Sequence, residues 1–299
     1  MFAYVLRFST WLLAVSMLLL PVIACSQTDE RLGPGGPRSL PIAFLNFDGL
    51  FTSNSGDIYA AEGFSGSRIF RIGRDGQTVI FADGLNGPID IAEDSAGNLY
   101  VTNFNTATVS RIDVNGAVSD FADVLPFPAG IIADAADNLY VTHYGAPDPT
   151  TGFGTGDTVL RIATDGSTSI FSQGGDLLAP VGITMDDDGA LYTANFHTGA
   201  VLKILADGSQ SSVAALTQPG VTFAIGHLEY ANNRLYATGI QVQGLYRVNL
   251  QNGQVNLRDI SKRVDFPNGI TFDPSSGSML ISGAFRPSAA LFRVRVPQR

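Results

Sequence analysis

A pair of core residues, in most copies an aliphatic side chain followed by tyrosine, recurs six times along the chain: Ile58-Tyr59, Leu99-Tyr100, Leu139-Tyr140, Leu191-Tyr192, Leu235-Tyr236 and Met279-Leu280. The spacings are 41, 40, 52, 44 and 44 residues, a period that marks a repeat array. Polar turns such as Asp94-Ser-Ala-Gly-Asn98, Asp134-Ala-Ala-Asp-Asn138 and Asp186-Asp-Asp-Gly-Ala190 precede the pairs, and an apolar stretch precedes each turn. Every unit therefore opens as strand, tight turn, strand.

A second signature follows within each unit: Arg71-Ile72, Arg111-Ile112, Arg161-Ile162, Lys203-Ile204, Arg247-Val248 and Arg293-Val294. Five of these lead into Asp75-Gly76, Asn115-Gly116, Asp165-Gly166, Asp207-Gly208 and Asn252-Gly253. Such dipeptides suit two-residue hairpin turns because both positions tolerate positive φ. With a further apolar strand after each turn, a unit holds four antiparallel strands, the content of a propeller blade. The 33 glycines, 15 prolines and a charged fraction of only 15% agree with many short strands. The sixth unit stops at Arg299 after its third strand, and Ser39 to Leu45 is predicted to supply the missing outer strand. Pro41 is tolerable there because the strand is an edge. The expectation is an all-β, six-bladed β-propeller of four-stranded antiparallel blades over residues 38–299, closed by that N-terminal strand.

Residues 1–24 read as an export signal: Arg7 is followed by the 14-residue apolar run Trp11 to Ala24, shorter than the roughly 20 residues of a spanning helix. Val22-Ile23-Ala24-Cys25 resembles the bacterial lipoprotein box, which implies that Cys25 is diacylated and becomes the new amino terminus. Residues 25–37 lack apolar periodicity and read as a flexible tether. Cys25 is the only cysteine, so no disulfide is expected. Loss of residues 1–24 leaves 17 basic against 27 acidic residues, a net charge of −10. With no basic cluster, nucleic acid is not an expected partner. The expected location is the cell envelope, on the periplasmic or extracellular face of a bacterial membrane, with membrane contact through acylated Cys25 only. A monomer is expected.

The motifs Gly97-Asn98-Leu99-Tyr100-Val101 and Phe266-Pro267-Asn268-Gly269-Ile270 resemble the NHL-repeat and regucalcin/gluconolactonase group of six-bladed propellers, over nearly the whole mature chain. The resemblance implies a divalent metal, often calcium, at the mouth of the central channel. In that group it is held by a glutamate of the first blade with asparagine and aspartate of the third to fifth. Counting back from each core pair to the residue opening the innermost strand gives Asp48, Ile89, Ala129, Val181, Ile225 and Asn268. Ala129, Val181 and Ile225 offer no oxygen to a hard cation, so the resemblance carries the fold and not the metal site. No cofactor is expected on that ground. Asp48, Asp90 and Asn268 remain as an arc for a divalent cation such as calcium, or as capped turns.

The second strand of each blade ends on the same face, at Glu62, Asn103, His143, Asn195, Gly239 and Gly283. Glu62, Asn103 and Asn195 join Asp48, Asp90 and Asn268 as candidate ligand-binding residues, although asparagine also serves to close turns. His143 precedes the one long insertion, Gly145 to Asp157, which reads as a binding loop or lid or as a flexible surface loop. His227 lies two residues beyond Ile225, at positions where other blades carry Leu50, Ile91, Ile131, Ile183 and Ile270. Each of these histidines is a candidate acid/base group or a structural histidine. His197 reads as a loop residue, and Asp186-Asp187-Asp188 as the blade turn and not a calcium loop.

Two functions stay open. One is a non-enzymatic propeller at the cell envelope that binds a small-molecule ligand or an envelope protein at the channel mouth. The other is a hydrolase or lyase, gluconolactonase-like or streptogramin-lyase-like, with His143 or His227 as base and the Asp48, Asp90, Asn268 arc holding a metal or the substrate.

Overall fold

The computed structural model describes residues 47–73, 77–216, 225–283 and 291–296. The export signal, the tether with Cys25, the expected closing strand Ser39 to Leu45 and the Asp75-Gly76 turn lie outside the described residues. Among those described, every regular element is a strand.

The strands form six antiparallel sheets in which sequence neighbours pair. Blade 1 is Leu50–Thr52, Ile58–Ala61, Ile69–Ile72 and Thr78–Ala82; blade 2 is Pro88–Glu93, Leu99–Asn103, Thr108–Ile112 and Val118–Asp123. Blade 3 is Pro128–Ala133, Leu139–His143, Thr158–Ile162 and Thr168–Gln173; blade 4 is Pro180–Met185, Leu191–Asn195, Ala200–Ile204 and Gln210–Ala215. Blade 5 is Leu228–Ala231, Arg234–Gly239, Gly244–Asn249 and Val255–Asp259, and blade 6 shows Pro267–Asp273, Ser278–Gly283 and Phe292–Arg295. The sequence-derived fold, a six-bladed propeller, is the observed one. The core lies between blades: Tyr59, Ala61 and Ile69 of blade 1 pack on Ile91, Leu99, Val101 and Ile112 of blade 2, and the pattern repeats around the ring.

Blade 6 meets blade 1 directly. The Thr271 hydroxyl accepts from Thr52 N at 3.0 Å and donates to the Thr52 hydroxyl at 3.1 Å, while the Ser282 hydroxyl donates to the Phe47 carbonyl at 3.2 Å. These residues lie more than two hundred positions apart, so the ring is closed.

One device recurs at the channel end of the blades. In blades 2, 3, 4 and 6 the register slips just after the opening proline, around Asp90, Gly130, Gly182 and Gly269. A bulge leaves a backbone N–H without its ladder partner. In blades 2, 3 and 6 a hydroxyl of the second strand takes it: Asp90 N donates to Thr102, Gly130 N to Thr142 and Gly269 N to Ser282. Each hydroxyl then donates to the next blade, Thr102 to the Ala129 carbonyl, Thr142 to Val181 and Ser282 to Phe47. Thr238 makes the same stitch in blade 5, accepting from His227 N and donating to the Asn268 carbonyl. The hydroxyl that satisfies the bulge thus also ties one blade to its neighbour.

The polar turns behave as expected. Asp186 accepts from the backbone N–H groups of Asp188 and Ala190 and from the Tyr192 hydroxyl. Asp94 with Tyr100 and Asp134 with Tyr140 repeat that pairing.

Candidate functional site

The shared hydrogen bond to the second-strand hydroxyl fixes which residues are equivalent around the channel. His227 aligns with Asp90, Gly130 and Gly269, not with Leu50, Ile91, Ile131, Ile183 and Ile270 as counting along the sequence implies. The reason is local. Ala231 pairs with Arg234, so the first turn of blade 5 is the two-residue Asn232-Asn233, both in the left-handed region, where blades 1 to 4 use five residues. The mouth position of blade 5 is accordingly Gly226 and not Ile225.

Four of the six positions at this level are glycine, and close approach requires it at two in particular. A Cβ on Gly130 would stand 2.3 Å from the Val181 carbonyl oxygen, and one on Gly182 would stand 2.6 Å from Leu228 N. The inner strands converge so tightly that only Asp90 and His227 carry side chains there, and they come from opposed blades. His227 Nδ1 lies 3.6 Å from Asp90 Oδ2, and His227 Nε2 donates to Asp48 Oδ1 at 3.0 Å. Asn268 Nδ2 donates to the same Asp48 oxygen at 2.9 Å. Asp90 is held in turn by the N–H groups of Ile91 and, in blade 3, Ile131. His227 is 6% exposed. Burial by itself lowers the pKa of an imidazole, but the charge of Asp90 and the hydrogen bonds to Asp48 and Asp90 raise it to about 10. At neutral pH this residue is a histidinium pinned between two carboxylates across the axis.

The structure therefore brings Asp48, Asp90, Asn268 and His227 together. A divalent cation does not fit this arrangement. Asp48 Oδ1 already accepts from His227 and Asn268, and both Asp90 oxygens accept backbone N–H groups. Calcium takes about 6 to 8 oxygens. Among the described residues no group of three or more His, Cys, Asp or Glu side chains is arranged to hold a metal. The chain's own histidinium takes the place between the carboxylates.

The remaining candidates stand apart from this cluster. Glu62 forms an ion pair with Arg68 and accepts from Ser67 N. Asn103 accepts from Asn86 N and donates to Thr108 and Ser110. Asn195 accepts from Leu178 N and donates to the Asp176 carbonyl. All three hold local loops. His143 is half-buried, and burial holds its pKa below the usual imidazole value against the Pro126 carbonyl and Asp157. Its Nδ1 is buried without a hydrogen-bond partner among the described residues.

At the same end of the channel, blades 2 to 4 carry an aromatic shelf. Phe104 packs edge-on to Phe127 at 5.1 Å and beside Tyr144 at 6.1 Å; Tyr144 packs edge-on to Phe196 at 5.7 Å. Ala129, Ala179 and Val181 pack against it. The long insertion is an ordered hairpin strap: Asp148 N donates to the Phe153 carbonyl, Gly156 N to Tyr144, and Asp148 caps Thr150 and Thr151. It delivers Phe153 onto His197, stacked at 4.0 Å, and His197 Nε2 lies 3.1 Å from the Tyr144 hydroxyl. Sequence reasoning set His197 aside as a loop residue. Phe127 sits at φ +61°, Ala179 at φ +47° and, in blade 6, Phe266 at φ +49°, each before a proline, where blade 2 uses Gly87 at φ +70°. A bulky residue in that conformation costs about 1–3 kcal/mol.

On the opposite side of the His227–Asp90 pair, toward the turns joining first and second strands, the channel widens into a cavity of about 250 Å³. Its wall includes Phe51, Ala92, Ile132, Thr184, Glu229 and Thr271. Burial raises the Glu229 carboxyl to about 8, with the Phe272 N–H opposing and the charge of Asp90 adding to the shift. Glu229 was not legible as a site residue, although it stands two positions after His227 on one strand, where period-2 geometry returns a side chain to the same side.

A family model described as the virginiamycin B lyase family matches residues 47–282. Similar solved structures include virginiamycin B lyase from Staphylococcus aureus, at 20% identity and TM-score 0.61, covering 83% of this chain and 80% of that one. A catalytically inactive histidine-to-alanine variant of that enzyme with quinupristin aligns at 19% identity and TM-score 0.63, covering 89% and 83%. A gluconolactonase from Xanthomonas campestris aligns at 17% identity and TM-score 0.67, covering 87% and 89%. At such identities the structural likeness shows the fold. No curated protein matches the chain by sequence.

Proposed function

Because this chain belongs to the virginiamycin B lyase family, we propose that it is a ligand-binding propeller which receives a cyclic, ring-bearing small molecule on the aromatic shelf at the channel mouth. Binding proceeds without divalent-metal lactonase chemistry. The observation that carries this reading is the shelf itself: Phe104, Phe127, Tyr144 and Phe196, brought together from blades 2 to 4, gather their rings at one side of the channel mouth. Stacked and edge-on rings contribute about 0.5–1.5 kcal/mol per pair beyond their area, so a shelf of four rings suits a partner with apolar rings. Quinupristin, the compound held by the Staphylococcus aureus variant, is the probe. Calorimetric titration is expected to show one site that Phe196→Ala weakens; equal affinity in the variant contradicts the proposal.

A second reading, a ring-opening lyase, is favoured by the family and by the Tyr144 hydroxyl held 3.1 Å from His197 Nε2, a phenol–imidazole pair able to pass a proton.

The resemblance of Val22-Ile23-Ala24-Cys25 to a lipoprotein box supports a propeller tethered at the cell envelope through Cys25. Cys25→Ser is expected to release the protein from membranes, since stable anchoring needs the acyl chains; continued tight association contradicts the anchor.

A further inference from the structure

Blades 2, 3, 4 and 6 keep a carboxylate at the end of the first strand. In blade 4 Asp186 accepts from the Tyr192 hydroxyl at 2.9 Å and lies 3.5 Å from Lys203 Nζ of the third strand. In blades 2 and 3 Asp94 and Asp134 accept from Tyr100 and Tyr140, with Arg111 and Arg161 beside the phenols. In blade 6 Asp273 meets Arg293 at 3.3 Å. Blade 5 departs from this pattern. It pairs Tyr230 with Leu235 where blade 4 pairs Met185 with Leu191, so Ala231 stands at the position of the aspartate. The tyrosine and the third-strand cation are retained, as Tyr236 opposite Arg247. A second cation joins them: the residue before the core pair is Arg234, where the other blades carry Asp57, Asn98, Asn138, Ala190 and Ser278.

Strand alternation puts Ala231, Arg234, Tyr236 and Arg247 on the one face of blade 5 that meets blade 6. The Tyr236 ring packs among Ala231, Ile260, Met279 and Val294. The residue is 2% exposed, and its hydroxyl is buried with no hydrogen-bond partner among the described residues. Burial raises this phenol, and the charges of Arg234 and Arg247 oppose the shift, so both guanidiniums stand near it. Among the described residues neither arginine has an acidic partner at ion-pair distance; Arg234 donates to the Asn232 carbonyl at 3.3 Å. Phenylalanine would fill the same space without burying an unsatisfied hydroxyl, and blade 6 has Leu280 at this position. From residue 231 onward basic residues outnumber acidic ones nine to three, in a chain of net charge −9, so the local field favours an anion.

We propose that the seam between blades 5 and 6 is a binding site for a small organic carboxylate, which accepts from the Tyr236 hydroxyl and pairs with the guanidiniums of Arg234 and Arg247. The guest takes the role that the chain's own aspartate plays in blades 2 to 4. A carboxylate suits the site because its two oxygens can face a phenol and a planar guanidinium at once. The turn of blade 5 is shorter than those of blades 1 to 4, and both arginines are half-buried. A guest therefore enters by turning two flexible side chains and not by moving a strand. The seam lies at the turn end of the blades, away from the aromatic shelf, and stands independently of the shelf's ligand.

The test is a titration of the purified protein with isotope-labelled sodium acetate at neutral pH, followed by NMR at constant ionic strength in chloride, with acetamide as the uncharged control. Acetate carries the same carboxylate as an aspartate side chain. The expected result is one saturable acetate site, with acetamide weaker by at least about tenfold. Tyr236→Phe keeps the ring and is expected to weaken acetate by about tenfold, the worth of a hydrogen bond to a charged group. Ala231→Asp restores the carboxylate of the other blades and is expected to abolish acetate binding while raising the melting temperature. No saturable acetate binding, acetamide bound as tightly, or undiminished acetate binding in Tyr236→Phe or Ala231→Asp overturns the proposal. If Ala231→Asp fails to fold, the two probes on the unmodified protein and on Tyr236→Phe decide it.

Discussion

His227 Nδ1 lies 3.6 Å from Asp90 Oδ2, so a histidine of the fifth blade meets a carboxylate of the second across the channel axis. With Asp48 at 3.0 Å on its other nitrogen, the imidazole is a cross-brace of the ring. A buried pair of this kind is costly to break from one side, because the surviving charge stays buried without a partner. His227→Gln is expected to lower the unfolding free energy at neutral pH by about 3–5 kcal/mol, measured by urea denaturation.

The same pair sets a pH dependence. The pKa of His227 is raised from 6.5 to about 10, so the stability it contributes is complete below about pH 6.5 and is lost as the pH climbs toward 10. Glu229, raised from 4.5 to about 8, acts with the same sign over a lower window, since the folded chain holds its proton where the unfolded chain has released it. The melting temperature is expected to be higher near pH 5 than near pH 10. His227→Gln should flatten the upper part of that curve and Glu229→Gln the lower part. A flat profile in the unmodified protein contradicts both assignments.

Ser282 serves two blades at once, accepting from Gly269 N and donating to the Phe47 carbonyl. Ser282→Ala leaves a buried N–H unpaired and removes a closing contact of the ring. A loss of about 1–3 kcal/mol in unfolding free energy is expected, whereas Ser55→Ala in an exposed turn should change stability by less than about 0.5 kcal/mol.

The strained aromatic offers a separation of stability from binding. Phe127→Gly relieves a left-handed backbone worth about 1–3 kcal/mol while removing one ring of the shelf. Thermal stability is therefore expected to change little, and quinupristin affinity to fall. A large drop in melting temperature would show that Phe127 is kept for packing.

Most of the architecture was legible because each blade repeats the same local chemistry. Leu99-Tyr100 and its counterparts mark the second strand, and Asp94 or Asp186 marks the turn that the tyrosine hydroxyl closes. The site was legible in part. Asp48, Asp90, Asn268 and His227 stand out as polar residues among aliphatic ones, yet counting back gives blade 5 the turn length of blades 1 to 4, and the shorter Asn232-Asn233 turn shifts it relative to its neighbours. Glu229 and His197 were not legible for another reason. One is defined by a cavity that six strands build together, the other by a strap that lays Phe153 on it, and neither relationship has a local pattern.

The central claim is that the mouth binds a ring-bearing ligand without turning it over. Prolonged incubation of the purified protein with quinupristin, with and without added magnesium or calcium, followed by chromatography of the compound, tests it most directly. The account predicts recovery of the intact ring at every metal concentration, alongside calorimetric binding that Phe196→Ala weakens. A ring-opened product that forms with or without metal and disappears in His197→Ala contradicts it.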